Sequence, residues 1–293
     1  MKNYNGIHPI ILFVYFFGVI FITMFTMNPA LIIISFFSSI TLCGILIGIK
    51  KIFVSLAYSM PMLLIIAVTN PIFVHKGETI LFFLNDNPVT KEAIIYGLFA
   101  AMMLISVFYW FKCLNEVMTS DKFIYLFGRI IPKFALVLSM ALKFIPELKR
   151  QYKNIDESRK ALGIYTSKSY VDKIKNKLEI FSVLITWSLE KSIGTGDSMK
   201  ARGYGLKGRT SYSLYKWTEK DTFYLAAVLS FTVAVLVLLF NNTAYYSYYP
   251  LLTGVSFSAA ACVLYCALFV LTAFSSILIL KENLKWQYLK SKI

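Results

Sequence analysis

The sequence predicts an all-α, polytopic membrane protein of about six transmembrane helices, with long amphipathic helices inserted between the fourth and the fifth. Three observations carry this reading. Of 293 residues, 58% are hydrophobic and 15% charged, with a mean hydropathy of +0.66. Soluble domains are nearer 45–50% apolar and about 25% charged. That much apolar surface cannot fit into one water-soluble core of this length. An ordinary cytosolic enzyme, a secreted disulfide module and a disordered chain are thereby excluded. Six stretches also approach the ~20 apolar residues that cross ~30 Å of hydrocarbon, and most of the charge is gathered in one segment between two of them.

The six stretches are 9–27, 29–49, 52–74, 93–115, 222–240 and 251–280. Asn28-Pro29 separates the first two and Lys50-Lys51 the second and third. Polar residues with Asp86, Pro88 and Lys91 precede the fourth, and the uncharged, tyrosine-rich segment 241–250 joins the last two. Lys2 before an apolar run could pass for a signal peptide. No small-residue cleavage site follows it, so the run reads as an uncleaved first span. Three organisational parts result: an N-terminal bundle of four spans over 1–118, an interfacial and cytoplasmic helical region over 119–221, and two further spans with a basic tail over 222–293.

The net charge is +15, from 30 Lys+Arg against 15 Asp+Glu. Such an excess suggests nucleic acid in a soluble protein and positive cytoplasmic loops in a membrane protein. With the N-terminus inside, 28 of the 30 basic residues fall on the cytoplasmic side, twenty of them between 119 and 221, and only Lys76 and Lys91 fall outside. Both termini are therefore expected in the cytoplasm, the protein in the cell membrane, and no nucleic acid among its partners. Segment 123–145 is long enough to cross but carries Arg129, Lys133 and Lys143 around Pro132. A charge mid-bilayer costs roughly 2.5–3.5 kcal/mol on insertion scales. The segment is read as helices lying at the inner interface, with lysines snorkelling to headgroups. The tail from Lys281 to Lys292, with Trp286 and Tyr288, is expected against anionic headgroups.

Two helices follow in the insert. Pro146 can open the first, on which Leu148, Tyr152, Ile155 and Leu162 recur at helical spacing up to Gly163. Ile174, Leu178, Phe181, Ile185 and Leu189 mark the second, which ends near 198–203; its apolar middle of about twelve residues, ~18 Å, is too short to cross. The expectation is two parallel amphipathic helices with similar basic-plus-glycine endings, Arg159-Lys160-Ala161-Leu162-Gly163 and Lys200-Ala201-Arg202-Gly203-Tyr204-Gly205. Ordinary termination accounts for a cation near a helix C-terminus and a left-handed glycine, at Gly163 and Gly205, after it. It does not require two such tips. A membrane protein driven by a soluble motor needs rigid levers with keyed ends, and an arginine end suits an acidic groove through its bidentate fork.

Gly203 to Gly208 formally matches G-x-G-x-x-G, and Gly203 to Thr210 approaches a phosphate loop. Neither follows a buried strand or opens a helix, and the phosphate-loop lysine is missing. No nucleotide site, cofactor or catalytic residue is assigned, so any ATP is hydrolysed on another chain. Cys43, Cys113, Cys262 and Cys266 read as small buried hydrophobes, and the lone His8 and His75 make no metal site. Gly44 and Gly48 form a G-x-x-x-G and Gly18 and Gly97 are lone glycines; all four suit close helix packing, and Pro61 and Pro71 can kink the third span.

The chain resembles the transmembrane T components (EcfT/CbiQ-like) of energy-coupling factor (ECF) transporters, prokaryotic importers of vitamins and transition metals. Three stretches carry the resemblance: 5–9, the run from Thr119-Ser120-Asp121-Lys122-Phe123 to Phe127-Gly128-Arg129-Ile130-Ile131-Pro132, and Asp197-Ser198-Met199-Lys200-Ala201-Arg202-Gly203-Tyr204-Gly205 with Gly208-Arg209-Thr210-Ser211-Tyr212. The resemblance implies two cytoplasmic coupling helices, each ending in a short motif, typically Ala-Arg-Gly, that docks into a groove on one of two ABC-type ATPase subunits. The second motif maps onto Ala201, Arg202 and Gly203. The first maps onto Ala161, Leu162 and Gly163, where Leu162 replaces the arginine. Either Arg159 or Lys160 supplies the charge there, or that tip docks mainly by apolar packing, the reading preferred. A separate membrane-embedded, substrate-binding S component is implied as a further partner, beside the lipid bilayer. The substrate would be read by that other chain.

Two other classes fit less well. A secondary transporter wants carboxylates within its spans, and the six stretches offer only Glu92 at a margin; inverted repeats are not evident either. An integral-membrane enzyme wants clustered acids or a histidine pair, and Asp156-Glu157 is adjacent rather than helically spaced.

Overall fold

The computed structural model describes residues 7–84, 87–128, 130–164, 170–206 and 215–290, with side chains up to Lys281 except that of Leu84. Nine helices and one pair of strands are seen among them: α1 (Pro9–Phe25), α2 (Pro29–Ile47), α3 (Ile49–Phe73), β1 (Ile80–Leu84), β2 (Asn87–Thr90), α4 (Lys91–Val117), α5 (Ser120–Gly128), α6 (Pro132–Ala161), α7 (Tyr170–Ala201), α8 (Glu219–Phe240) and α9 (Ala259–Lys290). Five helices are long and apolar enough to cross a bilayer: α2, α3, α4, α8 and the Ala259–Lys281 part of α9. The protein is an all-α, multi-pass membrane protein. The first of the six expected spans is shorter than the rest. The 17 residues of α1 measure about 25 Å, at the short end for a crossing helix.

The chain divides into two compact units, 1–120 with 215–293, and 121–214. In the first, α4 packs against α1, α2 and α3, while α9 packs against α2 and α8, and α8 against α1. Loop residues start the helices. Asn28 caps α2 through its side-chain oxygen on the Ala30 amide (2.9 Å), and Thr90 caps α4. His8, one of the two lone histidines, caps α1 and lies edge-on to Trp217 at 4.7 Å.

A hydroxyl ladder runs through the apolar core. Ser35 Oγ of α2 lies 2.7 Å from Thr23 Oγ1 of α1 and 3.0 Å from Ser106 Oγ of α4, and it accepts the Trp110 indole N–H at 2.9 Å. Trp110 is wholly buried and meets Tyr15 and Phe16 edge to face. Tyr15 in turn donates to the Thr272 carbonyl of α9 (3.2 Å) and lies 2.9 Å from Ser275 Oγ. Lipid-facing apolar residues cannot tell one helix partner from another, so these hydroxyls fix which helices meet.

Several expectations are corrected in this unit. Gly44 and Gly48 do not act as a pair: a Cβ at Gly44 would stand 3.8 Å from Ile52 of α3, but Gly48 ends α2 with φ +100°, and a Cβ there would meet nothing within 4 Å. Between helices, close approaches fall at the lone glycines Gly97 and Gly18, as expected. A Cβ at Gly97 would stand 2.6 Å from the Ala67 carbonyl of α3, and one at Gly18 would stand 3.0 Å from Thr232 of α8. Pro61 and Pro71 fall inside the third span, α3, as expected. Cys43 and Cys113 are buried, but Cys262 and Cys266 lie on the exposed face of α9. The last span begins at Ala259, not 251, because 247–253 folds as a turn closed by the Thr253 amide on the Ser247 carbonyl (3.1 Å). β1 and β2, not recognised from sequence, pair antiparallel, Ile80 with Thr90 and Leu84 with Asn87. The root of the pair is fastened by Glu92, whose Oε1 accepts from Thr79 Oγ1 at 2.7 Å.

In the second unit, 123–128 lie in α5 and 132–145 in the first part of α6, and neither helix is among those long and apolar enough to cross. Lys133 and Lys143 are exposed there. Pro146 does not open a helix: α6 runs unbroken through it from Pro132. The two long helices also pair antiparallel, not parallel. Arg159 of α6 bonds Glu179 of α7, while Glu147, earlier on α6, meets Lys191, later on α7, at 3.1 Å. Phe144 stacks on Trp187 with ring centroids 5.7 Å apart, beside this second pair.

Candidate functional site

Both long helices end in the same backbone device. At the end of α6 the Gly163 amide donates to the Lys160 carbonyl (3.0 Å) and the Ile164 amide to that of Arg159 (3.3 Å). At the end of α7 the Gly203 amide donates to the Lys200 carbonyl (2.9 Å) and the Tyr204 amide to that of Met199 (3.0 Å). These are paired Schellman closures, in which a left-handed residue turns the chain back over the last carbonyls. Gly163 (φ +69°) and Gly203 (φ +77°) occupy that position. The cap of the second helix is thus Gly203, not Gly205, although Gly205 also has positive φ (+98°). Ala161-Leu162-Gly163 and Ala201-Arg202-Gly203 therefore superimpose in role, residue by residue, with Leu162 and Arg202 equivalent.

The side chains at the two tips differ in what they have left to offer. Leu162 is 76% exposed, and Ala161, Gly163, Ala201 and Arg202 are exposed as well. Arg202 forms no ion pair among the described residues. Arg159 is held in the helix pair: its side chain is 14% exposed and its guanidinium bonds Glu179. Lys160 Nζ lies 2.6 Å from Asp156 Oδ2, one turn back on the same helix. The first tip thus presents an apolar side chain and the second a cation. Residues 207–212, and with them half of the formal phosphate-loop match, lie outside the described residues, as do Asn5, Gly6, Asp86 and Arg129. Gly203 follows a helix end and opens no helix. Among the described residues, no three His, Cys, Asp or Glu side chains gather as a metal site.

The antiparallel pairing separates the tips. Arg159, beside the first tip, lies against Glu179, and α7 continues from there for about 33 Å to Ala201. The hydrogen bond from Arg159 holds the Glu179 carboxyl below the usual glutamate range. A carboxylate whose folded pKa is depressed stabilises above its unfolded value, ~4.3, and loses that contribution as pH falls through the folded value. Acidification below about pH 4 is therefore expected to loosen the α6–α7 pair at the first tip. Glu179→Gln should give the same loosening at neutral pH, with faster amide exchange over the last turns of α6, corrected for the intrinsic chemical rate. Unchanged exchange in the variant would remove this ion pair from the account.

A family model described as CbiQ, cobalt transport protein, matches residues 7–212, which takes in the first four long helices of the bundle and both tips. The chain belongs to this family. Curated relatives agree. Over 104 residues it is 36% identical to the energy-coupling factor transporter transmembrane protein EcfT of Listeria innocua, covering 34% of this chain and 39% of that protein. It is 22% identical over 236 residues to EcfT 1 of Listeria monocytogenes, covering 76% of this chain and 88% of the relative. The EcfT of Bacillus selenitireducens is 35% identical over 106 residues, covering 36% of this chain and 40% of that protein. The matches to the L. innocua and B. selenitireducens proteins thus span about two fifths of those relatives, whereas the L. monocytogenes match spans most of its length. As a CbiQ/EcfT-family T component, the chain is a transmembrane component of an ECF transporter and a membrane transport protein.

Proposed function

We propose that this chain is the coupling and scaffold subunit of an ATP-driven importer. Two ABC-type ATPase subunits dock on the tips at Ala161-Leu162-Gly163 and Ala201-Arg202-Gly203. Their closure on ATP drives α6 and α7, and the motion reorients a separate membrane-embedded S component that carries a vitamin or a transition-metal ion. Both termini and the 119–221 region lie in the cytoplasm. The observation that supports this best is the repeated closure: two Ala-X-Gly turns of one backbone form, with Leu162 and Arg202 exposed, at well-separated places on an antiparallel helix pair.

The two tips divide the work. Arg202 is the principal anchor, pairing bidentately with an acidic groove. Leu162 docks by apolar contact, since Arg159 and Lys160 are already engaged within the chain. The 1–118 and 222–293 parts form the membrane body. Purification of the tagged chain in mild detergent from its native membrane tests this. Two soluble ATPases and a small membrane protein are expected to co-purify in fixed ratio. A chain that catalyses uptake alone in vesicles, with no ATPase bound, would contradict the proposal.

A further inference from the structure

A groove of about 330 Å³ opens between α3 and α4 at the end that carries Lys50 and Lys51. Its polar lining comes from Lys51, Ser55, Tyr58, Ser59 and Lys112. Lys112 Nζ donates to Ser55 Oγ at 2.6 Å, and the Tyr109 hydroxyl donates to the same oxygen at 3.3 Å. Ser55 Oγ thus accepts twice, and its own proton has no acceptor among the described residues. Neither Lys51 nor Lys112 pairs with a carboxylate among them. Glu116, one turn beyond Lys112, is exposed and does not line the groove. Two ammonium groups and the Ser55 hydroxyl proton are therefore left to donate, and the exposed Tyr58 hydroxyl can donate as well. The rest of the lining is apolar: Val54 beside Ser55, and Met62, Ile105 and Phe108 further along the same helices from the lysines.

The geometry points to a site for one anionic phospholipid, with its phosphate at Lys51, Lys112 and Ser55 and an acyl chain along Val54, Met62, Ile105 and Phe108. Charge-assisted bonds from two ammonium groups and a hydroxyl suit phosphate oxygens. Basic pockets between transmembrane helices hold anionic headgroups in this way. The apolar wall joined to the cationic mouth distinguishes a lipid from a free anion, and the +2 lining selects an anionic over a zwitterionic lipid. The site is read from α3 and α4 alone; only its assignment to the inner leaflet rests on the orientation proposed above.

Native mass spectrometry on the delipidated full-length assembly, reloaded with dioleoylphosphatidylglycerol or dioleoylphosphatidylcholine, tests this. The wild type should retain phosphatidylglycerol selectively. Lys51→Gln with Lys112→Gln should lower that retention roughly tenfold or more, and Lys50→Gln, outside the lining, should not. Lys51→Gln alone, an exposed change that leaves the Ser55–Lys112–Tyr109 bonds intact, should lower it several-fold without moving the unfolding midpoint. Equal retention of phosphatidylcholine, an equal loss in Lys50→Gln, or displacement of the lipid by millimolar inorganic phosphate would overturn the assignment. So would loss of a co-purifying membrane protein from the double variant with phosphatidylglycerol retention unchanged, since the groove would then be a protein face. ATPase co-purification, scored in the same samples, reports on the coupling role separately.

Discussion

Arg202→Ala is expected to abolish ATPase docking while leaving the chain folded and inserted. Removing one partner of a buried, hydrogen-bonded charge pair costs ~2–5 kcal/mol, tens- to thousands-fold in affinity. Arg202 is exposed and forms no ion pair among the described residues, so the loss falls on the interface and not on the fold. The backbone closure behind it is held by Gly203 and the Lys200 and Met199 carbonyls, which alanine at 202 leaves in place. Arg202→Lys should recover only part of the binding, because an ammonium cannot make the two parallel bonds of a guanidinium. Co-purification and substrate uptake measured together check this. Full uptake in Arg202→Ala would remove the residue from the mechanism.

The largest stability loss is expected at Trp110→Ala. The side chain is wholly buried, meets Tyr15 and Phe16 edge to face, and donates to Ser35. Truncating a buried tryptophan to alanine costs about 3–5 kcal/mol in measured cores, through lost contacts and the cavity left behind. Trp110→Phe keeps most of the ring and loses the indole donor, so only about 0.5–1.5 kcal/mol is expected there. Unfolding midpoints in detergent should rank wild type, Trp110→Phe, Trp110→Ala. Equal midpoints for wild type and Trp110→Ala would mean that α1, α2 and α4 do not meet as described.

Much of this architecture was legible in the amino-acid order. Long apolar runs located α2, α3, α4 and α8 closely, because a helix in hydrocarbon must satisfy its own backbone and needs a fixed length to do so. The tips were legible as well: a glycine after a basic turn announces a helix end, and both glycines take the left-handed conformation. Charge at the first tip was open from sequence. Only the fold shows that Arg159 is drawn to Glu179, twenty residues along the chain, which leaves Leu162 as the exposed feature.

Other features were hidden for identifiable reasons. Pro146 reads as a helix start, yet α6 continues through it, flanked by the Phe144–Trp187 stack and the Glu147–Lys191 pair. Tertiary contacts there outweigh a local preference. The spacing of Gly44 and Gly48 fits a packing seam, but Gly48 lies at a helix end, where no partner helix comes near. The β1–β2 pair did carry a signal, since an apolar run ends at Asn85-Asp86 before a second extended stretch. Ser35 carried none: its three partners lie on α1 and α4, and nothing local marks one serine among several as the hub.

The most direct measurement of the central claim is site-specific photo-crosslinking from the two tips in native membranes, with Arg202 left intact. A photoreactive residue is placed at Ile164 beside the first tip and at Leu206 beside the second, both exposed. Each position is expected to yield an adduct with a soluble ATPase subunit, strengthened or weakened by ATP. An absence of ATPase adducts from both positions, or labelling of either one in intact cells by a membrane-impermeant reagent, would contradict the account.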